Sequence, residues 1–175
     1  MIRTINEQAT NPGDAMSGMY VAERSRNPFL QTSTGGRVLS ALMLPHFTIR
    51  PPRGFAILTT TGRRTGKTRR KCVRAIRRGD RAYLVSIRPT AWLKNARANP
   101  HVRLRMPGAT VDAVARELRP DEAEEARAAY CDTVNAFDYM ECMMWRKGRP
   151  TSAKIRELHS GWFEMGTPLV VDLRR

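Results

Sequence analysis

Residues 55–88 decide the fold. They read Phe55-Ala-Ile-Leu-Thr-Thr-Thr61, Gly62-Arg-Arg-Thr-Gly-Lys-Thr-Arg-Arg70, Lys71-Cys-Val-Arg-Ala-Ile-Arg-Arg-Gly-Asp-Arg81, then Ala82-Tyr-Leu-Val-Ser-Ile-Arg88. The first run is apolar and β-prone between Gly54 and Gly62, so it reads as a buried strand. Residues 62–70 carry two glycines and five cations. They are too polar to bury and read as a loop that bends at Gly62 and Gly66. Cys72, Arg74 and Ile76 then alternate with Val73, Ala75 and Arg77 as a second strand. Arg78-Gly79-Asp80 reads as a hairpin turn, and Tyr83 to Ser86 as a third strand.

Such a loop suits an anion. Exposed N–H groups and fixed cations make a cradle for a phosphate-like group. A solvated basic hairpin end is the alternative on the loop alone. The run Gly62 to Thr68 spells Gly-x-x-x-Gly-Lys-Thr, which is not a nucleotide-binding P-loop. That motif places four residues between its glycines and a helix after its lysine. This chain has three residues there, and its continuation reads as a strand.

The stretch Leu58-Thr-Thr-Thr-Gly-Arg-Arg-Thr-Gly-Lys-Thr-Arg69, followed by Arg77-Arg-Gly-Asp-Arg81, resembles the deazaflavin-dependent nitroreductase and quinone reductase family. That family carries Thr-Thr-Thr-Gly-Arg-(Lys/Arg)-(Ser/Thr)-Gly-x-x-Arg, a strand, then Arg-x-Gly-Asp. A second match is Ala91-Trp-Leu-Lys-Asn-Ala-Arg-Ala-Asn-Pro100. Weaker ones are Ala115 to Leu118 and the closing run Pro168 to Val171. The resemblance implies a mainly β fold with flanking helices, an FMN-binding split-barrel-like β-barrel. It implies coenzyme F420, a deazaflavin with a phosphodiester and an oligoglutamate tail, with flavin mononucleotide the less favoured cofactor. The reduced coenzyme passes hydride to a small organic acceptor, a quinone or nitro compound.

By the same resemblance, Arg63, Arg64, Thr65, Gly66, Lys67 and Arg69 hold the anionic tail. Ser86 and Arg88 lie near the ring or its linker, Arg88 standing in for a family lysine. Trp92 forms a wall, and Tyr139, which follows Asp138 as a family tyrosine does, donates to the acceptor. Ser86 and Tyr139 are thus the candidate catalytic residues. The segment from Ser86 to Trp92 is shorter than in many members and lacks their diglycine. Cys72 stands where many have proline. The competing reading is a split-barrel binding protein that holds flavin, haem or biliverdin without nitroreductase activity.

Composition bounds the rest. At 175 residues the chain reads as one domain with an extension: residues 1–50 carry a short helix, and 51–175 form the cofactor-binding barrel. No run reaches the roughly 20 apolar residues of a membrane span, and the N-terminus lacks an apolar signal core, so a cytoplasmic location is expected. Cys72, Cys131 and Cys142 have no metal spacing and read as small hydrophobes. His46, His101 and His159 are scattered, so no metal is expected.

The net charge is +15, with fifteen Lys and Arg between Thr61 and Arg105 against one acid, Asp80. Such asymmetry attracts polyanions. Stacking aromatics are absent among the cations of 61–81, so no specific nucleic acid partner is expected. A small-molecule acceptor is. Homodimer formation and peripheral membrane contact, through Leu42-Met43-Leu44, remain open.

Elsewhere, residues 1–30 read as a loose arm. Ser33-Thr34 caps a helix that ends before Pro45. Helices are predicted over Ala91 to Ala98, from Pro120 to about Thr133, and over Thr151 to His159. Strands are predicted over Val102 to Met106, Val111 to Leu118 and Leu169 to Leu173. Phe137, Met140, Met144 and Trp145 read as a helical core stripe. Tyr139 either packs beside it or faces the coenzyme. The stretch 145–165 is longer than in most of the family, which suits a pocket cover or a dimer contact.

Overall fold

The computed structural model describes residues 33–173. The arm expected over 1–30 lies outside them. The described elements are α1 (Ser33–Ile49), β1 (Phe55–Thr61), β2 (Thr68–Arg74), β3 (Ile76–Arg78), β4 (Arg81–Ser86), α2 (Ala91–Ala98), β5 (His101–Met106) and β6 (Ala109–Glu117). A 3-10 turn (Pro120–Glu122), α3 (Ala123–Asp132), α4 (Ala136–Trp145), α5 (Ser152–Met165) and β7 (Thr167–Leu173) complete the order.

The seven strands form one antiparallel sheet in the order β2-β1-β5-β6-β7-β4-β3. Its two edges, β2 and β3, are separated in the chain by Ala75 alone. One residue spans only a few ångströms, so the sheet must curl until its edges meet. β2 accordingly touches β4 across the gap. The result is a mainly β, split-barrel fold with flanking helices, as the family resemblance implies.

Strand periodicity distributes side chains between inside and outside. On β1, Ala56 and Leu58 point into the barrel core, while Phe55 and Ile57 join Phe47 of α1. On β4, Ala82 and Leu84 face inward, while Tyr83 packs with Tyr130 of α3. On β7, Leu169 and Val171 face inward and Val170 outward. Both faces of these strands are therefore covered, which is why β1 reads as an unbroken apolar run. Trp92, Leu93 and Ala96 of α2 plug the barrel. Each fully buried Leu or Val contributes roughly 1.5–3 kcal/mol.

Four expectations need correction. First, β2 starts at Thr68, inside the run read as loop, because Thr61 pairs with Thr68 and Thr60 with Arg69. The ladder satisfies the backbone while the cationic side chains stay in water, so polarity did not exclude a strand. Second, α1 runs through Pro45 to Ile49. An interior proline costs about 3 kcal/mol. Here the last turn is held by Phe47, which is buried against Phe55 and Phe137 at ring-centroid distances of 5.8 and 5.3 Å. Third, the stripe on α4 is core only in part: Phe137 packs against Phe47 and Phe55, Met140 is exposed, and Phe137, Met144 and Trp145 line a groove. Fourth, the helix expected to stop at His159 continues to Met165, since Trp162 is fully buried one turn later.

Candidate cofactor-binding groove

A groove of about 1000 Å³ runs along the split of the barrel. The loop between β1 and β2 forms one bank. Gly66 turns it with φ 65°. A Cβ on Gly62 would lie 3.0 Å from the Lys67 carbonyl oxygen, so a side chain there would crowd the turn. The Gly62 N–H donates to that carbonyl at 2.9 Å, and the Thr65 and Gly66 N–H groups donate to the Gly62 carbonyl at 3.2 and 2.7 Å. The Lys67 N–H reaches Thr65 Oγ1 at 3.4 Å. These amides are committed within the loop, contrary to the expectation of an N–H cradle. The attraction for anions comes from side chains instead.

Arg63, Arg64, Thr65, Arg69 and Arg70 line the groove; Gly66 and Lys67 lie outside its lining. Arg63, Arg64, Lys67 and Arg69 are exposed. Among the described residues none of these four cations has a carboxylate within ion-pair distance. One residue anchors the loop to the barrel. Asn95, buried on α2, accepts at Oδ1 from the Arg63 backbone N–H and from its guanidinium, each at 3.2 Å, and donates to Thr60 Oγ1 at 3.4 Å. The Trp-x-x-Asn spacing signalled this residue, but the sequence reading left it without a role.

The other bank is the segment after β4. Ser86 is buried and lines the groove, but its hydroxyl is engaged. It donates to the Arg88 carbonyl at 2.6 Å and shares a bond with Thr90 Oγ1 at 2.8 Å. Thr90 in turn caps α2 by accepting from the Leu93 N–H. Ser86 thereby shapes the short turn that brings exposed Arg88 and buried Trp92 to the groove. Tyr139 departs from its expected place. Its hydroxyl bonds Ser152 Oγ at 2.7 Å on an exposed face outside the groove lining. Helical spacing explains this: α4 turns Phe137, Glu141, Met144 and Trp145 to the groove, and residue 139 faces away.

The inner wall carries charge that sequence reading missed. Arg74, on β2, is buried and pairs with buried Asp138 of α4. Its guanidinium also donates to the Thr133 carbonyl at 2.7 Å. Burial pushes the Asp138 carboxyl up, and Arg74 and the Asn135 N–H hold it back. Beside them, burial pushes the Glu141 carboxyl up to about 7. His159, fully buried on α5, is driven down to about 3 by burial and then by Arg74. Nothing in the sequence marked Glu141 or His159: one acid among methionines and one isolated histidine carry no pattern, and Asp138 stands out only as the neighbour of Tyr139. Cys72, also in the lining, is held as a thiol by burial, its pKa raised to about 11.

The sequence pattern of the F420H(2)-dependent quinone reductases matches residues 46–148. This chain belongs to that family. It is therefore an oxidoreductase of a family that works with coenzyme F420. Solved structures that resemble it include the following three. An F420-H2 dependent reductase is 20% identical over 70% of this chain and 95% of its own, with a TM-score of 0.45. A haem-binding protein from Mycobacterium smegmatis is 16% identical over 69% of this chain and 46% of its own, TM-score 0.47. An FAD-binding protein from Mesorhizobium loti is 14% identical over 70% and 83%, TM-score 0.44. No curated protein matches.

The groove fits the family's coenzyme on its own chemistry. The lining presents guanidinium groups of the loop that have no carboxylate partner among the described residues, suited to phosphodiester and carboxylate oxygens. It also carries Trp92, Phe137, Met144, Trp145 and Trp162, suited to a flat ring.

Proposed function

We propose that this member of the family reduces a quinone-type acceptor, with F420H2 as the hydride source. Arg63, Arg64 and Arg69 would hold the coenzyme's anionic tail, with Lys67 adding long-range attraction from the rim. Arg88 and the turn fixed by Ser86 would meet the linker, and Trp92 would flank the ring. The bound coenzyme supplies hydride; the protein supplies placement, exclusion of water and charge. The observation that carries this reading is a single groove lined both by cations without carboxylate partners and by the tryptophan wall. The apolar lining around Met43, Phe47, Phe137 and Met144 favours a hydrophobic acceptor such as a quinone over a charged one.

The test is fluorescence titration of the purified protein with oxidised F420 and, separately, with flavin mononucleotide. Saturable binding of F420, weakened by salt as tail contacts are screened, is the expected result. Tight binding of flavin mononucleotide alone would overturn the reading.

A further inference from the structure

We infer that Glu141 is the proton donor of the groove, delivering a proton to the acceptor's oxygen when it is reduced. This rests on the reductase reading above. Glu141 sits in the groove lining on α4, between Phe137 and Trp145. Glu141 is half-buried: its Oε2 is enclosed without a hydrogen-bond partner, while the residue keeps part of its surface exposed in the groove lining. An enclosed, unpartnered carboxylate oxygen is costly as an anion, and the neutral acid costs less to keep there.

The surroundings make the same demand. A carboxylate oxygen of Glu141 and a ring nitrogen of His159 lie within 4.8 Å of each other. His159 gives one ring N–H to the Cys131 backbone carbonyl, and its Nδ1 is buried without a partner. A neutral imidazole that donates from one nitrogen offers only a lone pair at the other. A neutral imidazole this close gives Glu141 no positive charge to offset an anion, which favours the protonated carboxyl.

The other groups near Glu141 set its balance. Arg74 from β2 favours the carboxylate, while Asp138 on the same helix opposes it. Tyr130 from α3 is held as the neutral phenol, chiefly by burial. Burial outweighs Arg74, so both forms of Glu141 are populated near neutral pH. That is where a general acid works best. The cluster Asp138, Glu141 and His159 is not a metal centre. Asp138 gives one oxygen to Arg74 and accepts the Asn135 N–H at 2.6 Å with the other, and the guanidinium already supplies the positive charge.

The step balances. Hydride reaching a quinone delivers two electrons and one hydrogen, leaving a hydroquinone anion. The Glu141 O–H bond breaks and the proton passes to that oxygen. The hydroquinone leaves neutral, and the Glu141 carboxylate recovers a proton from water entering the vacated groove. Arg74 stabilises the carboxylate in the interval.

The variant is Glu141→Gln, which keeps the shape and cannot pass on a proton. In the absence of coenzyme, infrared spectra of the wild type should show a protonated-carboxyl band that fades as pH rises through about 7, and that E141Q lacks. With F420H2 and a short-chain quinone, E141Q should lose about 100-fold in kcat with little change in KM. The wild-type fall in kcat above neutral pH should disappear, and Glu141→Asp should recover part of the rate. F420 affinity should be the same in both proteins. If the carboxyl is already ionised at pH 5, or E141Q keeps the wild-type rate and pH profile while F420 binds, this inference alone fails. If the wild type takes up no F420, the reductase reading fails and carries this one with it.

Discussion

The loop after β1 and the ridge where β6 meets β7 use arginine in opposite ways. On the ridge, Arg116 makes paired bonds to Glu122 and Asp172, Arg119 joins Glu122, and Arg81 approaches both carboxylates. Its pKa rises and that of Glu122 falls to about 2, chiefly through their mutual hydrogen bonds. In the loop, Arg63, Arg64, Lys67 and Arg69 have no such acids among the described residues. Neutralised cations hold a fold together. Cations placed side by side without partners repel one another, and a fold keeps them where an anionic ligand compensates. The net charge of +15 therefore says less than its local bookkeeping.

The comparison is tested hardest at Arg74, the buried structural cation. Replacing it in Arg74→Met leaves Asp138 buried without its partner and should cost roughly 3–5 kcal/mol in urea unfolding. The double variant Arg74→Met, Asp138→Leu should recover most of that. A single variant of wild-type stability would mean that the pair contributes nothing to the fold.

The loop should behave the other way. Arg64→Ala combined with Arg69→Ala should weaken F420 binding about 10- to 100-fold, the equivalent of roughly 1.5–3 kcal/mol for lost charged contacts. Its thermal midpoint should not fall. Arg103→Ala, which breaks an exposed pair with Asp112, is the control and should alter neither quantity measurably. Unchanged affinity in the double variant would sink the assignment of the loop to the coenzyme.

The smallest effect is a pH dependence on the ridge. The Glu122 carboxyl is depressed from 4.5 to about 2 in the folded protein. A depressed acid stabilises the fold above its unfolded pKa, and that contribution is lost as pH falls from about 4.5 through about 2. Glu122→Gln should flatten this part of the acid limb in thermal melts. An identical slope in both proteins would show that the ridge does not sense acid through Glu122.

Much of the barrel was legible because its signals are local. The apolar run of β1, the turn at Gly79 and the helix from Ala91 to Ala98 each lie in the chain where the structure has them. The misreadings share a cause. Pro45 and the cationic start of β2 were judged by local cost, and distant partners, Phe47 on Phe137 and Thr61 on Thr68, overrode it. The site divides the same way. The cations of the loop and Trp92 are visible as residue types at family spacing. Asp138, Glu141 and His159 are not, because their meaning lies in burial and in what faces them.

By itself the sequence determined the family, the excess of cations beside Gly62 and Gly66, and the strands whose alternation fills the barrel. These follow from residue type and spacing along a continuous chain. Only the tertiary structure decided that Tyr139 turns away and Glu141 turns in, that the loop amides are engaged, and that Asn95 ties the loop to α2. Those outcomes depend on which segments are brought within a few ångströms of each other, and desolvation and hydrogen bonding act over no greater range.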